Sequence, residues 1–154
     1  MSDRIELAPL AAEHLSSIAL LERQELSPWS ERQIGAELTA TNQVGLVAID
    51  QGAVIGWCCC RFCEAEGELL KITVGRPHRR RRIGTLLLAA MEKRLSGSGV
   101  TTLLLEVRAA NGSGVAFYRR GGFQLVGCRP RYYHDPEDDA LLMSKVIGQE
   151  RGMI

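Results

Sequence analysis

Four consecutive arginines, Arg79-Arg80-Arg81-Arg82, stand where an apolar segment ending at Val74 gives way to apolar residues at helical spacing, Ile83, Leu86, Leu87, Ala90, Met91 and Leu95. That junction suits a diphosphate. The amino end of a helix offers unused backbone N–H groups and roughly half a positive charge, and a guanidinium grips phosphate through a planar, two-bond fork. The same run is also compatible with a solvated basic turn or an RNA-contacting patch. A second pair of candidates lies downstream: Glu106, in the apolar run Leu103-Leu104-Leu105-Glu106-Val107, and Tyr118. A partly buried carboxylate is a good proton acceptor, and a phenol is a hydrogen-bond donor at neutral pH. Their structural alternatives are an ion pair of Glu106 with Arg108, two residues on and on the same strand face, and packing of Tyr118 against Phe123.

Five cysteines invite a metal reading, because Cys60 and Cys63 make a CxxC and Cys58-Cys59-Cys60 are contiguous. Strand residues three apart point to opposite faces, so Cys60 and Cys63 do not converge on one ion. No second pair or neighbouring His completes a tetrahedron. No metal is expected, and the thiols read as small, buried, reduced apolar groups. His14, His78 and His134 are scattered; His78 reads as a surface histidine within reach of a phosphate.

The elements that must position these residues follow from periodicity and turn signals. A strand containing Ile5 and Leu7 precedes an apolar helical pattern through Leu15, Ile18 and Ala19. Ser30, with Gln33 three residues on, has capping-box spacing for a second helix. Gln43 to Asp50 and Ala53 to Phe62 read as a hairpin turning at Gln51-Gly52, and a third strand, Glu68 to Val74, follows Glu66-Gly67. The helix begun at Ile83 ends near Gly97 and Gly99. Then come a strand from Thr101 to Val107, apolar enough to be covered on both faces, and a short helix from Gly112 to Arg120. Two strands close the chain, Phe123 to Arg129 and Asp139 to Val146, leaving Tyr132 and Tyr133 on the loop between them. The fold class is α/β, with a mixed central sheet flanked by helices.

The 154 residues suit one domain, 1–154, with enough core to dispense with disulfides. Nineteen basic against eighteen acidic residues exclude a global nucleic-acid or membrane-surface signature. The segment Met1 to Leu10 carries Asp3, Arg4 and Glu6 and lacks a signal-like apolar core, and no stretch approaches the ~20 apolar residues of a membrane helix. A cytoplasmic location is expected.

The stretch Arg79-Arg80-Arg81-Arg82-Ile83-Gly84 resembles the pyrophosphate loop of the GNAT superfamily (Gln or Arg, two variable residues, Gly, one variable residue, Gly or Ala), with Arg82 where the first glycine is usual. A helical φ at Arg82 would keep its amide usable. Leu105-Glu106-Val107-Arg108, Asn111, Phe117-Tyr118 and Gly122-Phe123 are similar to the subgroup that acetylates protein amino termini. Arg129-Pro130-Arg131-Tyr132-Tyr133, Asp139-Ala140, Met143, Pro28-Trp29-Ser30 and Glu68-Leu69-Leu70 extend the resemblance to the RimI-type ribosomal-protein-alanine acetyltransferases along nearly the whole chain.

The resemblance implies a GNAT-like domain using acetyl-coenzyme A. Ile72, Val74, Arg79, Arg80, Arg81, Arg82, Ile83, Gly84, Thr85, Asn111 and Tyr118 would bind the cosubstrate, with the Val74 N–H as oxyanion donor. Glu106 would be the base and Tyr118 the acid that protonates the thiolate; Glu106, Tyr132 and Tyr133 would meet the acceptor. An amino-terminal amine, with a pKa near 7.7–8.0 against about 10.4 for lysine, is about a tenth or more deprotonated at pH 7. The expected acceptor is the amino-terminal Ala of a small-subunit ribosomal protein, with no membrane and no direct nucleic-acid contact. The alternatives are a GNAT enzyme for a small amine or internal lysine, and a non-catalytic RNA- or ribosome-binding module, which would need neither Glu106 nor Tyr118.

Overall fold

A computed structural model describes residues 4–148. They form one seven-stranded mixed sheet in the order β1-β2-β3-β4-β5-β7-β6, with strands β1 (Glu6–Pro9), β2 (Gln43–Asp50), β3 (Ala53–Cys63), β4 (Glu66–Val74), β5 (Thr102–Arg108), β6 (Gln124–His134) and β7 (Glu137–Val146). Helices α1 (Leu15–Glu22), α2 (Glu31–Thr39), α3 (Ile83–Gly97) and α4 (Gly112–Arg120) flank it. Only the β4–β5 pairing is parallel, as expected where a helix, α3, carries the chain between two strands.

Two apolar clusters hold the helices to opposite faces. Ile83, Leu87, Leu88, Met91 and Leu95 of α3 pack on Ile55, Leu69, Leu103, Leu105 and Met143. Each such buried side chain contributes about 1.5–3 kcal/mol. On the other face, Ile18 of α1 and Ile34 of α2 close over Val47, Trp57 and Cys59. Both faces of β3 are therefore covered, which accounts for its triple cysteine. Cys58, Cys59 and Cys60 are buried there, and burial pushes the Cys58 thiol up to about 12. Cys63 and Cys128 are exposed, so the reading of the thiols as interior groups holds for three of the five.

Local signals act as their chemistry requires. Ser30 Oγ accepts from the Gln33 N–H at 3.1 Å, while Gln33 Oε1 accepts from the Ser30 N–H at 2.8 Å. Gln51 and Gly52 both take positive φ (52° and 83°), as a two-residue hairpin turn demands.

Several strand limits differ from expectation, those of β3, β5 and β7 by one or two residues, and the differences at β4 and β6 have identifiable causes. β4 starts at Glu66 because Gly67 serves packing, not turning: a Cβ there would lie 3.3 Å from Val100 and 3.4 Å from Leu103. β6 runs on to His134, so Tyr132 and Tyr133 lie in a strand and not in a loop. Pro130 lacks an N–H, but β6 is an edge strand, where no partner needs one. Its register shifts between Arg129 and Tyr133, where Arg131 takes φ 55° and donates its N–H to Asp139 Oδ1 at 2.8 Å. Among the described residues no helix is long and apolar enough to cross a membrane.

Candidate active site

Strands β4 and β5 pair only over Glu66–Leu69 against Thr102–Leu105. Beyond that, β4 continues along β3 and β5 along β7, opening a wedge in the middle of the sheet. The opening begins at a bulge: Leu69 pairs with Cys60 and Lys71 with Cys59, so Leu70 is an extra residue. A bulge bends its strand and re-aims its side chains. Leu69 accordingly packs toward α3 and Leu70 toward α1 and α2, after which Ile72 and Val74 return to the α3 side. The Gly75 N–H donates to the Ile55 carbonyl of β3 at 2.8 Å. Strand alternation then turns the backbone groups of Ile72 and Val74 away from β3 and into the wedge.

At the mouth of the wedge, on the α3 side, lies the arginine run. The first hydrogen bond of α3 joins the Leu86 N–H to the Arg82 carbonyl, 3.0 Å, so its ladder leaves the amides of Ile83, Gly84 and Thr85 unused. Arg79 donates to the Val74 carbonyl at 3.2 Å and lies 3.3 Å from Glu25, and Arg81 lies 3.0 Å from Asp50 and from His78 Nδ1. The side chains of Arg80 and Arg82 are exposed and have no such partner among the described residues. Gly84 keeps α3 close to α4: a Cβ would stand 3.2 Å from the Phe117 ring. Asn111 caps α4 by accepting the Gly114 N–H at 3.0 Å.

Arg82 does not take the right-handed helical φ that would accommodate it without strain. It has φ 63° and ψ 22°, the left-handed region, which costs a residue with a Cβ roughly 1–2 kcal/mol. Arg82→Gly is therefore expected to raise Tm by about 2–4 °C, the strain relieved exceeding the extra chain entropy of glycine. Coenzyme A affinity should fall by no more than a few-fold, since the amide remains. Thermal melts and calorimetry check both; a lowered Tm would mean that the loop depends on the side chain.

Glu106 and Tyr118 stand on opposite sides of the sheet. Leu103, Leu105 and Val107 face α3, which turns Leu104, Glu106 and Arg108 to the α1/α2 face. The Glu106 carboxylate is 22% exposed and lies 3.3 Å from Arg129 Nε. Arg108 is engaged elsewhere: it donates to Ser27 Oγ (2.8 and 3.1 Å) and to the Pro136 carbonyl (2.8 Å), with its guanidinium 4.3 Å from the Tyr133 ring centre. The Glu106–Arg108 pair is thus not the one formed. Glu68, on the same face across from Leu104, has its carboxyl held above the usual range by burial and then by the Glu106 charge. Tyr118 packs edge-on between Phe117 (5.4 Å) and Phe123 (5.7 Å), as its structural alternative foresaw. Its hydroxyl nonetheless has no hydrogen-bond partner among the described residues, and burial raises its pKa, keeping it protonated.

Tyr133 is half-buried beside Arg108, and burial, then the Glu106 charge, raise its pKa; Tyr132 is exposed, with Arg129 5.5 Å from its ring centre. The structure thus gathers the arginine loop, Ile72 and Val74 on one side of the wedge, and Glu106, Arg108, Tyr132 and Tyr133 on the other. Residues that pattern reading missed also converge there. Gln24 donates to the Val74 carbonyl at 2.8 Å and accepts from the Arg76 N–H at 3.1 Å, holding the splayed end of β4 where β5 no longer does. Glu22 is fully buried behind it, and an acid directly after Leu20-Leu21 on a helix was the available signal. Among the described residues no cluster of three or more His, Cys, Asp or Glu could hold a metal.

Comparison with known proteins agrees with this geometry. The model of the acetyltransferase (GNAT) family matches residues 12–123. The ribosomal protein bS18-alanine N-acetyltransferases of Salmonella typhimurium and Escherichia coli K12 are each 31% identical over 137 residues, covering 82% of this chain and 86% of theirs. The crystal structure of the Escherichia coli ribosomal-protein-S18-alanine N-acetyltransferase superposes with a TM-score of 0.87 at 25% identity, over 97% of this chain and 98% of that one. The fold is also that of the PaiA N-acetyltransferase of Thermoplasma acidophilum, solved with coenzyme A (TM-score 0.75, 21% identity, 95% and 99% covered). A sheet that splits beside a helix end with free amides, found together with sequence matches along most of its length, means that this chain belongs to the GNAT acetyltransferase family and is an acetyl-coenzyme A-dependent N-acetyltransferase.

Proposed function

We propose that the acceptor is the α-amine of a protein's first residue, the amino-terminal alanine of a ribosomal protein, and that acetyl transfer takes place inside the wedge. The observation that carries this reading is the disposition of Glu106 and Tyr118 on opposite faces of the opened sheet. Acetyl-coenzyme A lies along the α3 and α4 side, its diphosphate against the amides of Ile83, Gly84 and Thr85 and the free guanidiniums of Arg80 and Arg82. Ile72, Val74 and Asn111 line its course toward the thioester. The acceptor arrives from the α1/α2 side, between Tyr132, Tyr133 and Glu106.

Glu106 takes a proton from the ammonium, directly or through water, and the amine attacks the thioester carbonyl. The Val74 N–H, turned into the wedge, donates to the oxyanion. As the C–S bond breaks, Tyr118 gives its proton to the thiolate, and the attacking nitrogen loses its second proton, which returns through water to the Tyr118 phenolate, leaving an amide and coenzyme A. A ribosomal protein as acceptor is met in the cytoplasm, which is where this reading puts the reaction. The ribosomal substrate is supported by the names of the 31% identical relatives, and the α-amine by its partial deprotonation at neutral pH.

Peptides beginning with Ala should be acetylated at the α-amine. The same peptides with blocked termini and free lysines should react at least about tenfold more slowly, given the low free fraction of lysine. Mass spectrometry of the products decides this; equal reaction of the blocked peptides would replace amino-terminal specificity with lysine or small-amine transfer.

A further inference from the structure

We propose that Ser27 sets the width of the acceptor opening by joining the two strands that part at the wedge. Beyond the last β4–β5 pair, Lys71 of β4 donates to the Ser27 carbonyl at 3.1 Å. From β5, Arg108 donates to the Ser27 hydroxyl oxygen through Nη2 at 2.8 Å and Nε at 3.1 Å. One residue of the α1–α2 connection thus receives charge-assisted hydrogen bonds from both diverging strands, where their own ladder has ended.

Neither side of this staple is loose. The connection is fixed on either side of Ser27, by Gln24 to Val74 and Arg76 and by the Trp29 N–H, which donates to Glu22 at 3.0 Å. Arg108 is 7% exposed and carries the staple onward to the β6–β7 turn through the Pro136 carbonyl and the Tyr133 ring. The contacts of Ser27 with Arg108, and of Arg108 with Tyr133, lie on the face that presents Glu106. An amine reaching Glu106 passes between the Ser27 connection and the β6–β7 turn, so their separation decides which first side chains enter. Ser27 is a positioning residue: it touches neither reacting atom.

The proposal rests on the amino-terminal reading, and its test separates the two. Ser27→Ala removes the hydroxyl acceptor at an exposed position. The KM for an Ala-first peptide should rise roughly fivefold, while that for acetyl-coenzyme A stays within about twofold, and the preference for Ala over Leu or Phe as first residue should fall roughly fivefold. Ser27→Thr, which keeps the hydroxyl, should restore both. If Ser27→Ala keeps the wild-type peptide KM and first-residue preference, or if both KM values rise together with a lowered Tm, the staple does not set specificity. Failure of the amino-terminal reading appears instead in the wild-type enzyme, as acetylation of blocked peptides.

Discussion

Glu106→Gln is expected to lower kcat on an Ala-first peptide by roughly 10²-fold or more at pH 7, leaving acetyl-coenzyme A affinity unchanged. The substitution keeps the side chain's size on the α1/α2 face and removes its ability to hold a proton. The contacts proposed for the cosubstrate lie on the other face, so on that reading its affinity does not depend on this carboxylate. The deficit should shrink as pH rises through the α-amine's own range near 8, because solvent then removes the proton that Glu106 would have taken. Glu106 also lies 3.3 Å from Arg129, which is 57% exposed. Such an exposed pair contributes at most about 1 kcal/mol, too little for the expected loss. A near-normal rate with an unaltered pH profile would make Glu106 only the partner of Arg129, and Arg129→Ala, which keeps the carboxylate, separates the two roles.

How far the sequence discloses this site depends on the range over which each signal acts. Capping at Ser30, the Gln51-Gly52 turn and the face of α3 are set by residues within a few positions of one another; the first two appear in the structure as read, and so does the α3 face except that Leu86 is exposed and Leu88 is buried instead. The arginine loop is legible for the same reason, but not the division of labour within it. Arg79 and Arg81 are held by Glu25 and Asp50, distant in sequence, and Arg80 and Arg82 are left exposed. The partner of Glu106 is likewise a long-range matter. Arg108 is the nearer guanidinium in sequence, yet burial ties it to Ser27 and the β6–β7 turn, and Arg129 arrives from the edge strand. The wedge has no local signature, because it depends on Leu70 being extra in a pairing with β3. Tyr132 and Tyr133 look like loop residues because Pro130 precedes them, and only the edge position of β6 lets the strand resume.

Glu22→Ala is expected to be the most destabilising of these changes, by about 3–5 kcal/mol. Its carboxylate is fully buried and accepts from the Trp57 indole N–H at 2.8 Å, the Thr73 hydroxyl at 2.7 Å and the Trp29 N–H at 3.0 Å, with Lys71 Nζ at 3.4 Å. Truncation leaves those donors without an acceptor and an ammonium that is only 15% exposed without its counter-charge. Against a usual total of about 5–15 kcal/mol, that is roughly a fifth or more of the stability, and Tm should fall by roughly 10 °C. Glu22→Gln should fall between the two, because the carboxamide can accept from some of these donors but sets its own NH₂ against another. The consequence reaches the chemistry. Thr73 precedes Val74, whose N–H is the proposed oxyanion donor, and Trp29 closes the connection that carries Ser27. Surviving Glu22→Gln enzyme should therefore show a lowered kcat even at temperatures where it is fully folded. Thermal melts followed by tryptophan fluorescence, with rates measured well below the transition, check both halves; a Tm within about 2 °C of wild type for Glu22→Ala would show that water replaces the carboxylate without cost.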